Sequence, residues 1–209
     1  MTRAEPSRVV AIDDVAPTRV ALRAAANTLR AGGVVALPTE TFYGLAVPAL
    51  DAGAVKRIFD LKGRPDTKPL LALVDSVAMA ESVACVTPAA RDLMLRYWPG
   101  ALTLVLRAHA HVPSVVTAGT GTLGVRLSSQ PIARGLVELL GEPVTAPSAN
   151  PDGLAPPTTA AGVRAYFPRG VDLILDGGAT PGGAPSTLLD LTVDPPRILR
   201  QGAVVVRDL

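Results

Sequence analysis

One cysteine, Cys85, stands in a chain of 209 residues, which rules out an intramolecular disulfide and points to a reducing compartment. Within ESVACVTP it reads as a small packing residue. Aromatic residues are almost as scarce: one Trp, three Tyr and three Phe. Six of them fall in adjacent pairs, Phe42–Tyr43, Tyr97–Trp98 and Tyr166–Phe167. Alternating strand positions would be needed to stack single-stranded bases, so a stacking platform is not expected. Neither sign of charge dominates. A formal +2 with a pI near 9.0 is too mild for a dedicated nucleic-acid binder, and a substrate-sized anion is the expected partner. The opening MTRAEPSRVVAIDDVAP has no apolar secretion core, and no run of about 18 apolar residues follows; a soluble cytoplasmic protein without membrane contact is expected.

Lysine is also rare. Three lysines (Lys56, Lys62, Lys68) stand against seventeen arginines, and two of the three flank Arg64 in KGRPDTKPL. An excess of Arg and Ala has the character of a coding bias, so single lysine positions carry more information than arginine counts.

The hydrophobic content is 48%, ample for a core, and the 19 Gly and 20 Pro are interspersed with apolar runs rather than clustered. TRVALRAAANTLRAG reads as a helix capped by Thr18 and stopped by Gly32–Gly33, with GVVALP as a buried strand behind it. Asp51 caps a second helix ended by Gly63, so KGRPDTKPL is a helix-to-strand loop before PLLALV. A helix from Thr87–Pro88 to Tyr97, strands ALTLVLRA and TLGVRL, and a helix QPIARGLVELLG capped by Ser129 follow. The strand PVTA, a short helix over 159–167 and strands VDLIL, STLLDL and AVVV complete the chain. Strands and helices interleave throughout without a repeat or linker. The expectation is an α/β (α+β) fold: residues 1–17 as an N-terminal tail or edge segment, and residues 18–209 as one domain built on a mixed sheet.

Several motifs are decoys. GTGTLG (119–124) matches G-x-G-x-x-G, but Val125–Arg126–Leu127 continues as strand where a dinucleotide fingerprint needs a helix. His109 and His111 have no third ligand nearby, which favours solvated histidines over a metal site. Ser148 lacks the glycines of a nucleophile elbow. The loop Lys62, Arg64, Lys68 is different: three cations in seven residues repel one another, and a polyanion between them removes that cost. Arg64 offers a planar fork and the lysines point charges, a set suited to a triphosphate, although a solvated helix C-terminus explains the same charges equally well. PTET (38–41) and PSAN (147–150) gather small polar groups after strands, where α/β sheets bind ligands, with threonine, serine and asparagine supplying neutral hydrogen bonds; ordinary turns also use these residues.

Taken in order, LPTETFYGL, KGRPDTKPL, WPGALTLVL, VRL, TAPSAN, PSTLLDL and ILRQG resemble the YrdC/TsaC family of threonylcarbamoyl-AMP synthases over about residues 19–206. The resemblance implies a twisted mixed sheet with flanking helices and a basic concave cleft. It implies formation of threonylcarbamoyl-AMP and pyrophosphate from L-threonine, bicarbonate and ATP, with Mg²⁺ on the phosphates and no dedicated protein metal site. The product then passes to a separate tRNA threonylcarbamoyl transferase, so contact with tRNA is weak or indirect. By the same carry-over, Lys62, Arg64, Ser148 and Asn150 form the catalytic set; Arg64, Lys68, Thr122, Ser148 and Arg200 hold ATP; and Thr41, Arg126 and Ser186 hold threonine. Longer relatives carry a second C-terminal domain; this chain resembles the short form.

The chemistry suits these residue types. A carbamate formed on the threonine amine attacks the α-phosphate, and the protein's task is positioning and charge stabilisation rather than acid–base work. Three positions depart from the family pattern: Leu73 and Gln130, where many relatives have histidine, and Gln201, where proline is usual. They leave open a paralogue with another substrate. An RNA-binding module of the same fold is the alternative of a different class. A carbamoyl-transfer enzyme would be expected within a longer, cysteine-rich chain.

Overall fold

Helix boundaries follow side-chain chemistry in the sequence. The computed structural model describes residues 6–207. In chain order these form β1 (Arg8–Ala11), α1 (Arg19–Arg30), β2 (Val35–Pro38), β3 (Tyr43–Ala46), α2 (Ala52–Lys62), β4 (Leu71–Leu73), α3 (Val77–Val83) and α4 (Pro88–Tyr97). There follow β5 (Leu102–Arg107), α5 (Ser114–Thr117), β6 (Thr122–Arg126), α6 (Pro131–Leu140), β7 (Val144–Thr145), α7 (Ala160–Tyr166), β8 (Leu173–Asp176), β9 (Thr187–Asp190) and β10 (Arg197–Arg200). The Asp51 carboxylate accepts from the Gly53 and Ala54 amides at 2.8 and 3.0 Å and starts α2; Gly63, at φ 58°, ends it in the left-handed conformation that glycine adopts without strain. Thr87 caps α4 in the same way, accepting from Ala90 at 3.2 Å ahead of Pro88. The cap of α6 is Gln130 and not Ser129: its side-chain oxygen accepts from Ile132 at 3.0 Å. The last strand also differs from expectation. It is β10, RILR, and residues 203–206 are irregular.

Two mixed sheets form instead of one. The smaller runs β1-β8-β2-β3, with β8 parallel to both β1 and β2 and β3 antiparallel to β2. The larger runs β10-β9-β5-β6-β4-β7. The sequence reads as one sheet because the two are stitched where β3 meets β7: Leu45 donates to the Pro147 carbonyl (2.8 Å), Ala149 to Tyr43 (2.8 Å) and Thr145 to Val47 (2.9 Å). β2 and β3 are buried along their whole length, which explains why VALP and YGLA lack polar alternation.

Apolar layers line both sides of this frame. One centres on Tyr43, Ile58, Met94, Leu104 and Val125; the other packs α1 and α6 through Leu22, Leu29, Ile132 and Leu136. Each fully buried Leu or Ile contributes about 1.5–3 kcal/mol. Gly135 permits the close approach of α6 to α1, since a Cβ there would lie 2.8 Å from Leu22 Cδ1. This packing fixes the ends of β2, β6 and β7, the C-terminus of α2 and the β9–β10 pair, from which the chemistry-bearing side chains project.

Candidate functional site

The scarce lysine Lys62 closes α2 and is 3% exposed, so its ammonium needs partners. It finds them in the backbone carbonyls of Ser148 and Asn150, to both of which Nζ donates. Burial, assisted by the charge of Arg64, pushes its pKa down to about 8 against the opposing pull of Asp152. Lys62 therefore holds the PSAN segment in place from beneath. The Asn150 amide nitrogen continues this work, donating to the Pro151 and Leu154 carbonyls at 2.9 and 2.8 Å, while its oxygen is buried without a partner.

Beyond this anchor, Arg64 and Lys68 present charge at the surface. Arg64 Nη2 donates to the Pro69 carbonyl at 3.0 Å, and Nη1 lies 3.7 Å from Asp152 Oδ1; Nε is buried and unpartnered. Lys68 Nζ is 2.6 Å from Asp152 Oδ2. Burial lowers the basicity of Arg64, with Asp152 acting in the other direction. One acid thus faces all three cations of the loop, and their charges together with the hydrogen bond from Lys68 hold its carboxyl below the usual range.

A second cluster forms where β6 ends. Arg126 is 3% exposed, and its Nε lies 3.4 Å from Glu40 Oε1, an ion pair in which neither atom has a well-aligned hydrogen bond. Ser128 donates to the other oxygen of Glu40. Thr39 shapes the PTET turn: its hydroxyl donates to the Phe42 carbonyl at 2.7 Å, accepts from the Thr41 amide at 3.2 Å and lies 3.0 Å from the Thr41 hydroxyl. Ser186, buried before β9, pairs its hydroxyl with Thr103 at 2.9 Å. Arg200 on β10 donates to the Ser186 carbonyl through Nε and Nη2 at 3.2 and 3.0 Å. Its pKa is lowered by burial and by the neighbouring charge of Arg126. Gly202 makes this closeness feasible, because a Cβ there would lie 2.6 Å from the Thr187 amide nitrogen.

Lys62, Arg64, Lys68, Ser148 and Asn150 therefore meet at one end, and Thr41, Arg126, Ser186 and Arg200 at the other. The two are joined through β3, since Thr41 lies three residues before Gly44, the bridge partner of Ser148. Arg200, expected with the nucleotide group, sits directly on Ser186 of the threonine group. Thr122 stands apart: it opens β6 four residues before Arg126, about 13 Å along a strand, with its hydroxyl 2.9 Å from that of Thr120. A cleft of about 480 Å³ adjoins the Arg126 end, lined by Glu40, Gln130, Pro38, Asp14 and Thr180. None of the cation-loop residues lines it.

Sequence reasoning overlooked Asp152, Glu40 and Thr103. Each left a trace: an acid two residues after PSAN, an acid next to a fully apolar strand, and a hydroxyl inside LTLVL. The departures resolve differently. Leu73, register partner of Arg126 on β4, is core, while Gln130 caps α6 and lines the cleft. Cys85 is exposed and is no packing residue; its Sγ lies 3.8 Å from His109 Nδ1. His109 is half-buried, with Nε2 3.0 Å from the Glu81 carbonyl, and so is not simply solvated. Among the described residues no group of three or more His, Cys, Asp or Glu is placed to hold a metal ion, and no helix is long and apolar enough to cross a membrane.

Comparison with known proteins gives this geometry a context. The Sua5/YciO/YrdC family model, described as telomere recombination, matches residues 27–202. A threonylcarbamoyl-AMP synthase of Pyrococcus abyssi is 44% identical over 189 residues, covering 90% of this chain and 56% of that protein. One from Bacillus subtilis is 39% identical over 194 residues, covering 92% of this chain and 56% of that protein. The crystal structure of P. abyssi Sua5 complexed with L-threonine matches with a TM-score of 0.90 at 43% identity, over 94% of this chain and 58% of that one. The chain spans little more than half the length of these relatives. It belongs to the Sua5/YciO/YrdC family.

Proposed function

We propose that this protein is an ATP-dependent L-threonylcarbamoyl-AMP synthase, a nucleotidyltransferase. The observation that carries the reading is the placement of a surface cation pair, Arg64 and Lys68, at one end of a site whose other end holds the buried Arg126 beside Ser186 and Thr41. Polyphosphate binding suits the first. An amino acid suits the second, with its carboxylate on Arg126 and its amine or hydroxyl on the Ser186 and Thr41 hydroxyls. The threonine complex of the P. abyssi relative supports this assignment.

In the reaction, the neutral threonine amine adds to the carbon of bicarbonate with loss of water, giving a carbamate. A carbamate oxygen then attacks the α-phosphorus of ATP, and the bond to the β-phosphate oxygen breaks to release pyrophosphate. Arg64 and Lys68 hold the β- and γ-phosphates and stabilise the charge that develops on the leaving group. Lys62 acts through the backbone, fixing Ser148 and Asn150 so that the nucleotide meets the carbamate at a defined distance. Mg²⁺ would enter with ATP as part of the substrate and would supply further neutralisation of phosphate charge beside Arg64 and Lys68. The unstable adenylate serves a separate transferase that modifies tRNA in the cytoplasm.

Labelled bicarbonate provides the test. Incubation with ATP and L-threonine yields a product containing the label, threonine and AMP, identified by mass. A labelled product lacking adenosine, or none at all, contradicts the proposal.

A further inference from the structure

The cations of the 62–68 loop already have one counter-ion from within the chain, paired with Arg64 and Lys68. Asp152 follows the PSAN segment, 84 residues beyond Lys68 in sequence, yet its carboxylate is 2.6 Å from Lys68 Nζ and 3.7 Å from Arg64 Nη1. The charge of Lys62 also acts on it. Among the described residues no backbone amide donates a hydrogen bond to this carboxylate, so it caps no turn. The turn around it is closed without it: the Asp152 amide donates to the Lys62 carbonyl at 2.8 Å, Leu154 to Pro151 at 3.2 Å, and the Asn150 side chain pins Pro151 and Leu154. The backbone of Asp152 is thus fixed independently of its side chain, which is about one-quarter exposed.

We propose that Asp152 is an internal counter-ion that occupies the phosphate-binding face of Arg64 and Lys68 and competes there with the polyphosphate of the nucleotide and with pyrophosphate. The inference rests on the nucleotide reading of this loop. Its physical basis is that a carboxylate and a phosphate cannot both take the same N–H groups, and that two anions on one cation pair repel each other. Asp152 stabilises the empty loop, where three like charges would otherwise face one another. It swings out when a more highly charged ligand arrives, and it returns as pyrophosphate leaves. It sets affinity and product release; it touches no reacting atom and is not a catalytic residue.

The test is direct binding of pyrophosphate, and separately of ATP, to the full chain by titration calorimetry, using wild type, Asp152→Asn and Asp152→Ser. Both variants are expected to bind pyrophosphate about two- to fivefold tighter than wild type, an effect of the size expected for removing one partly exposed competing charge. The advantage shrinks on going from low to high salt, as a merely structural change would not. It is also smaller when Lys68→Ala is already present. Unchanged or weaker pyrophosphate binding in both variants, with wild type still binding ATP, overturns the role of Asp152 and leaves the nucleotide reading intact. Absence of ATP and pyrophosphate binding in wild type and variants alike overturns both.

Discussion

Arg126 and Arg64 are each half of an ion pair, but the pairs are built for different purposes. Arg126 is almost wholly enclosed, 3.4 Å from Glu40, in a setting where Ser128 and the PTET turn fix the acid. Arg64 shares Asp152 with Lys68, whose side chain is half exposed. In the enclosed pair each charge depends on the other, so binding and folding are coupled. In the open pair the counter-ion is partly exposed and, in the role proposed for Asp152, replaceable by a ligand. A single site thus has a rigid end suited to discriminating a small substrate and a soft end suited to capturing and releasing a polyanion.

The largest effect that would break this contrast is at Glu40. Glu40→Ala leaves Arg126 buried without a counter-ion and is expected to cost about 3–5 kcal/mol in urea unfolding. A loss under about 1 kcal/mol would show that Arg126 is satisfied without Glu40. At the open end the expectation reverses: Arg64→Ala lowers turnover roughly 10²-fold with little change in melting temperature. Lys56→Ala, on the exposed face of α2, serves as the control and stays within about 0.5 kcal/mol of wild type with normal turnover. Equal loss at Lys56 and Arg64 would make net charge the cause and remove the local phosphate contact from the account.

Arg126→Lys sharpens the comparison. It keeps the charge but loses the planar fork, so the apparent constant for threonine is expected to rise about tenfold or more while that for ATP hardly moves. Equal weakening of both ligands would mean that the amino-acid end is wrongly placed. The smallest effect concerns pH. With its pKa at about 8, Lys62 loses its ammonium charge as pH rises past that value. A bound polyanion favours the protonated form and raises the pKa, so ATP affinity is highest below pH 8 and weakens several-fold above it. Affinity independent of pH from 7 to 9.5 would mean that the charge of Lys62 is not felt by the nucleotide.

The elements that local chemistry dictates were legible in the sequence. Asp51, Gly63, Thr87 and Pro88 fix α2 and α4 by caps and turns that need no distant partner, and the structure keeps them. The division into two sheets was not legible, because it depends on which distant strands pair, β8 with β1 and β2 and β9 with β5, and local sequence does not encode that choice. The cations of KGRPDTKPL stood out by their scarcity. Their counter-ion did not, since Asp152 reaches Lys68 only after the chain has crossed β4 to β7. Thr87 and Ser129 look alike as caps, but Gln130 displaces Ser129 because its longer side chain reaches back to the Ile132 amide. The run AVVV looked like a strand from its residues alone; the edge of the sheet is taken instead by RILR, whose arginine docks on Ser186.

The most direct test of the account is pyrophosphate release from ATP, followed with L-threonine and bicarbonate omitted in turn. The two-ended site predicts release only when both are present, because the phosphate end holds ATP but supplies no nucleophile without an amino acid carbamate at the Arg126 end. Release that continues undiminished without threonine would contradict it and reduce the protein to a nucleotidase.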